Sequence, residues 1–258
     1  MCLVAFSWKS HPTYPLIISA NRDEFFWRPT QPIHLWESGI YAGKDLKSGG
    51  TWFGIHPNGR WSLLTNYRDF IHQRESKISR GKLVQNFLEC QIDPEVYLKK
   101  IEQEKALYDG FNLLVSDGNR LFYYSNFGEK IREIEPGVYG LSNGLLDDPW
   151  PKSQLAQLQL DQLLTQQFDE DNLLEILKST DAADPELLPF TGIPPAMESA
   201  LSSQLIRIND NYGTVSATAV LQDKSGLTKL KERTFEWDYH KFEDRKFQFH
   251  PEKPMKNK

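Results

Sequence analysis

At 258 residues with a formal charge of −5, the chain carries no basic stripe interleaved with aromatics, which excludes nucleic acid as an expected partner. Seven Trp and fifteen Phe provide for a sizeable core, so one folded domain over residues 1–240 is expected. Two cysteines are too few for a disulfide framework, and there is no basic leader, signal-length apolar stretch or membrane-spanning run of about 20 residues; these features predict a cytoplasmic protein without a membrane anchor.

The apolar runs Cys2 to Trp8 and Leu16 to Ala20 flank the turn-rich His11-Pro12-Thr13-Tyr14-Pro15 and predict a β-hairpin. An irregular stretch from Phe25 to Trp36 is expected next. A strand is then expected after Gly49-Gly50, returning through Trp61 to Thr65 by way of Pro57-Asn58-Gly59, a turn whose Asn-Gly pair tolerates positive φ. Helical spacing of apolar residues follows over Gly81 to Gln91 and Pro94 to Lys105. Strands return at Phe111 to Ser116, Leu121 to Ser125 and Gly137 to Ser142. Helices are expected again at Lys152 to Phe168, Asp171 to Lys178 and Pro194 to Gln204, and a last strand pair at Gly213 to Gln222 and Leu227 to Trp237. Blocks of strands alternating with blocks of helices favour antiparallel sheets with helices packed outside. Residues 241–258, charged and proline-containing, read as a mobile tail.

The chemistry centres on Cys2. Removal of Met1 would leave a thiol and a free α-amine on one carbon; an amine titrating at about 8 can take the proton of a thiol titrating at about 8.5 without a histidine. A cysteine in Cys2-Leu3-Val4-Ala5-Phe6 equally suits a buried strand as a small apolar filler. Asn21-Arg22-Asp23-Glu24 follows the second apolar run and reads as polar groups emerging at a strand end, or as a charged turn. Thr65-Asn66-Tyr67-Arg68 and Leu141-Ser142-Asn143-Gly144 have the same character. The six histidines show no metal-ligand spacing, and there is no nucleophile elbow, phosphate loop, dinucleotide fingerprint or Cys-x-x-Cys pair.

Met1-Cys2, Asn21-Arg22-Asp23-Glu24, Gly49-Gly50-Thr51-Trp52-Phe53-Gly54, Thr65-Asn66-Tyr67-Arg68 and Gly140-Leu141-Ser142-Asn143-Gly144 occur in one order, continued by Thr191-Gly192-Ile193 and Tyr212-Gly213-Thr214. This pattern resembles the NRDE family, which includes the transport and Golgi organisation protein 2 group and is similar in fold to the N-terminal nucleophile hydrolases. The resemblance implies an α+β fold, a four-layer αββα sandwich of two antiparallel sheets flanked by helices. It also implies a catalytic set of Cys2 as nucleophile, Asp23 near the new α-amine, and Asn66 and Asn143 as amine and oxyanion partners. Asn21, Arg22, Glu24 and Arg68 are supporting residues in that scheme. Where the related amidases carry two arginines, this chain has Ala20 and Val215. Two functions follow from the resemblance: hydrolysis or acyl transfer at a linear amide or thioester, with no cofactor required, or a carrier or chaperone role for haem, acyl-CoA or lipid in the same pocket. Phe25-Phe26-Trp27, Trp36 and Trp52 read as wall residues of such a pocket or as core. No oligomeric state is implied.

Overall fold

The computed structural model describes residues 2–72, 77–128, 130–146 and 148–251. Along the chain run β1 (Cys2–Trp8), β2 (Leu16–Phe25), β3 (Thr30–Leu35), β4 (Tyr41–Asp45), β5 (Phe53–Ile55), β6 (Trp61–Asn66), α1 (Gly81–Glu89) and α2 (Pro94–Gln103). Then come β7 (Phe111–Ser116), β8 (Leu121–Ser125), β9 (Arg132–Glu133), β10 (Gly137–Leu141), α3 (Pro151–Leu163), α4 (Glu170–Glu175), α5 (Pro195–Ala200), β11 (Arg207–Ile208), β12 (Tyr212–Gln222), β13 (Thr228–Glu236) and β14 (Lys241–Phe249). One antiparallel sheet has the order β10-β1-β2-β12-β13-β14 with β11 on β12, and the other runs β3-β4-β5-β6-β7-β8-β9.

Three apolar clusters define the layers. Val4, Phe6, Ile18, Val220 and Leu230 of the first sheet meet Phe53, Trp61, Leu63 and Leu114 of the second. On its outer face the second sheet packs Leu113, Val115 and Tyr124 against Leu83, Phe87 and Leu88 of α1 and Leu98 and Ile101 of α2. The first sheet packs Leu3, Ala5, Ile17 and Ala219 against Ala156 and Leu160 of α3 and Leu173 and Leu174 of α4. Each sheet is therefore buried on both faces, with helices outside as the strand and helix blocks favour, which makes the four-layer αββα sandwich that the resemblance implies. Leu3, Val4, Ala5 and Phe6 form a continuous apolar run because alternate residues serve different cores.

Three expectations change. The polar tetrad Asn21 to Glu24 does not lie beyond a strand end, since β2 runs on to Phe25, paired with β1 as far as Arg22 and with β12 through Phe25. The stretch read as irregular holds the edge strand β3, whose register shifts between Gln31 and His34, with Pro32 in the interrupted part. The segment read as a mobile tail forms β14 over Lys241–Phe249, paired residue by residue with β13; its last seven positions, 252–258, lie outside the described residues. The charges that resemble a solvated tail are cross-strand partners instead: Asp244 accepts from Arg233 Nε at 2.8 Å, and Lys231 Nζ lies 2.9 Å from it. Among the described residues no helix is long and apolar enough to cross a membrane.

Candidate active site

Alternation along β2 splits the tetrad between two faces. Ser19, Asn21 and Asp23 point to the helix layer: Ser19 Oγ donates to Leu173 O at 2.6 Å, and Asn21 Nδ2 donates to Leu177 O at 2.9 Å and Gln204 O at 3.0 Å. Arg22 and Glu24 point the other way. The Arg22 guanidinium stacks 4.1 Å from the Trp52 ring centroid and lies 3.5 Å from Glu24. Arg28 links Glu24 at 3.5 Å to Asp45 at 2.6 Å.

Cys2, the first residue of β1, is directly opposite Arg22 in the antiparallel ladder and half-buried. Its carbonyl accepts from Ser142 Oγ at 2.9 Å, which ties the start of β1 to the turn after β10. That turn is fixed from the second sheet, because Asn112 Nδ2 donates to Thr65 Oγ1 at 3.1 Å and Gly144 O at 2.8 Å. Burial pushes the Cys2 thiol up, the Asp23 carboxylate adds to the rise, and Arg22 and the Asp23 backbone N–H oppose it. Asp23 is held by the Thr214 hydroxyl, which donates to Oδ1 at 2.7 Å. Burial pushes its carboxyl up, countered first by Lys152.

A cleft of about 730 Å³ brings together Cys2, Arg22, Asp23, Glu24, Asn66 and Arg68. Two of the sequence-derived candidates stand apart from its wall. Asn143 is fully buried beneath it; its Nδ2 donates to Asn66 O at 2.8 Å and its own carbonyl accepts from Arg68 N at 2.8 Å. Asn143 thus braces the β6 end that presents Asn66. Asn21 clamps the Leu177 carbonyl just after α4 and the Gln204 carbonyl, so its part is architectural. Arg68 pairs with the buried Glu198 at 3.3 Å and lies 5.0 Å from the Trp150 ring centroid, which couples the cleft to α5.

Sequence reasoning missed Glu198, Thr214 and Lys152. Thr214 lies within a quoted motif, but nothing marks its hydroxyl as the partner of Asp23. Lys152 did leave a signal: it follows Pro151 in the first turn of α3, where the helix dipole disfavours a cation. Among the described residues no cluster of three or more His, Cys, Asp or Glu suits a metal ion.

A β-strand that opens on a cysteine, facing a cleft between two stacked antiparallel sheets with outer helices, defines an αββα sandwich with a candidate thiol site. The chain belongs to the family described as Transport and Golgi organisation 2, whose profile matches residues 1–237. It is 36% identical over 262 residues to the Bos taurus Transport and Golgi organization protein 2 homolog, covering 91% of this chain and 93% of the relative. Identity to the Homo sapiens homolog is 34% over 275 residues, covering 96% and 99%, and to the Drosophila melanogaster protein 26% over 263 residues, covering 91% and 92%. A Caenorhabditis elegans N-acylethanolamine-hydrolyzing acid amidase ortholog overlies it loosely, at a TM-score of 0.46 and 12% identity, covering 85% of this chain and 92% of that one. That overlap is too loose to carry a functional argument.

Proposed function

We propose that this chain is an N-terminal cysteine hydrolase or acyltransferase of the cytoplasm, acting on a linear amide or thioester through Cys2 once Met1 is removed. The observation that carries the reading is the convergence of Cys2, Asp23 and Asn66 on one cleft, with the thiol on the first residue of a strand. In this scheme the freed α-amine takes the thiol proton, and the thiolate sulfur attacks the carbonyl carbon. The C–N or C–S bond then breaks, its electron pair and the proton held by the amine leaving with the departing group. Water, or a second nucleophile in the transferase case, cleaves the resulting thioester and regenerates the thiol. In this scheme Asp23 holds the α-ammonium and Asn66 donates to the developing oxyanion, an interaction worth about 3 kcal/mol where it acts.

Intact mass of the purified protein and turnover of an amide and thioester panel by the native chain and Cys2→Ala test this. Loss of Met1 with Cys2-dependent turnover is expected, and retention of Met1 on every molecule would sink the free-amine mechanism.

The rim of the cleft favours a second reading. Phe25, Trp27, Phe70 and Met197 line it and are 40% or more exposed, an apolar mouth suited to a carrier of haem, acyl-CoA or another lipid. Saturable binding of haem or a long-chain acyl thioester that survives Cys2→Ala, with no turnover on the panel, selects the carrier.

A further inference from the structure

Two strands break register, β3 between Gln31 and His34 and β12 between Thr214 and Ser216. Residues from both breaks, Pro32 from one and Val215 and Ser216 from the other, line a second cavity of about 530 Å³ together with Glu232 of β13 and Arg245 of β14. Irregularities of this kind re-aim side chains and are common beside functional sites.

Glu232 and Arg245 are direct cross-strand partners, a placement in which opposite charges ordinarily meet. Here each is drawn elsewhere. The break at Pro32 frees Ile33 N from β4, and that amide donates to Glu232 Oε2 at 2.7 Å across the sandwich. Arg245 Nη2 lies 2.8 Å from Glu243 Oε1 on its own strand. Glu232 Oε1, on a residue 1% exposed, and Arg245 Nη1 are buried, and among the described residues neither atom has a hydrogen-bond partner. Ser216 stands beside the same carboxylate without closing a good hydrogen bond to it. Arg28, the other cation on the wall, is taken by Asp45 at 2.6 Å.

An acceptor for Ile33 needs no charge, and a glutamine would serve it. A buried carboxylate and a buried guanidinium, each with one unmatched end on the same cavity, suit a ligand that brings both opposite charges. We propose that this cavity binds a small zwitterion of the α-amino acid class, its ammonium donating to Glu232 Oε1 and its carboxylate accepting from Arg245 Nη1. Asp210, Glu236 and Asp238 elsewhere on the wall disfavour a plain carboxylate, and Arg245 disfavours a plain amine. Phe235 and Trp237, stacked with ring centroids 5.6 Å apart, give the ligand's side chain an apolar wall. The site shares Arg28 with the Cys2 cleft but no residue of the nucleophile reading, so the two stand or fall separately.

The standard amino acids, added one at a time to the full chain, test this by calorimetry, with the ¹H–¹⁵N resonance of the Ile33 amide as reporter at the site. At least one is expected to bind saturably with a Kd of about 1 mM or tighter and to shift that amide. Glu232→Gln and Arg245→Met are each expected to weaken binding about tenfold or more, the loss of one charge-assisted hydrogen bond, while Cys2→Ala leaves it unchanged. Ethylamine and acetate, with one charge each, are expected to bind at least about tenfold more weakly than the amino acid. Should Arg245→Met fail to fold, Glu232→Gln and these two half-ligands decide. No saturable binding by any amino acid, binding that leaves the Ile33 amide unmoved or is indifferent to Glu232→Gln, or equal affinity for either half-ligand overturns the proposal.

Discussion

Glu232, on the inner face of β13, offers a sharp test of how this sandwich handles buried charge. It is 1% exposed, its Oε2 accepts from Ile33 N at 2.7 Å, and it lies opposite Arg245 in the ladder. Burial raises its carboxyl from 4.5 to about 7, against the backbone hydrogen bond and Arg245, which lower it. Between those two values the folded chain holds a proton that the unfolded chain has released, so stability falls as pH rises. The benefit of the neutral acid is complete below about 4.5 and lost by about 7. That rise corresponds to about 3 kcal/mol, nearly all of it already lost at pH 7, where half the folded molecules are ionised. Glu232→Gln mimics the neutral acid and keeps an acceptor for Ile33. The variant is expected to match the native chain near pH 4.5 and to exceed it by about 3 kcal/mol at pH 7, or about 6–12 °C in Tm. Urea denaturation of both chains at pH 4.5, 6 and 8 isolates this one group, because all other titrations cancel in the difference. A stability difference that stays constant across that range would refute the reasoning.

Thr214→Val removes the hydroxyl that donates to Asp23 and also accepts from Ile206 N at 3.0 Å; a loss of about 1–3 kcal/mol in urea denaturation is expected, with the Asp23 carboxyl titrating higher by NMR. Asp244, drawn down to about 2 by Arg233 and then Lys231, contributes stability above about 3.8 that is lost as pH falls through about 2. Asp244→Asn is therefore expected to cost about 1–2 kcal/mol at neutral pH and to speed amide exchange in β14 and β13, while exchange in β6 and β7 stays unchanged. At Gly50, φ is +80° and an added Cβ would meet the Gly81 backbone at 2.5 Å. Gly50→Ala is expected to lose about 2 kcal/mol or more, seen as a lowered urea midpoint, because neither backbone can yield without moving the start of α1.

How much of this could be read from the sequence depended on whether each residue's role was local. The β1–β2 hairpin, α1, α2 and the closing strands announce themselves through periodicity and turn chemistry. In β3 the run Thr30-Gln31-Pro32-Ile33-His34-Leu35 has its alternation broken where the register shifts. The charges of β14 are matched only by residues of β13, so only the pairing distinguishes strand from tail. Cys2, Asp23 and Asn66 line one cleft although no local pattern joins them. Asn143 shares their pattern but supports the wall from beneath, a distinction that depends on which side of a turn a side chain leaves. Lys152 is separated by more than a hundred residues from Asp23, and its burial is set by the approach of α3 to Gly140.

The division of Asn21, Arg22, Asp23 and Glu24 between two faces of β2 makes their order a constraint on how the chain may vary. Neighbouring positions in this tetrad answer to different masters: 21 and 23 to the helices, 22 and 24 to the opposing sheet. Lesions one residue apart should therefore differ in kind, the first pair loosening the outer layer, the second altering what enters the cleft. Inserting or deleting a single residue upstream in β2 would exchange the pairs wholesale. Such a change would point two charged side chains at apolar helices while leaving every one of the four residues present.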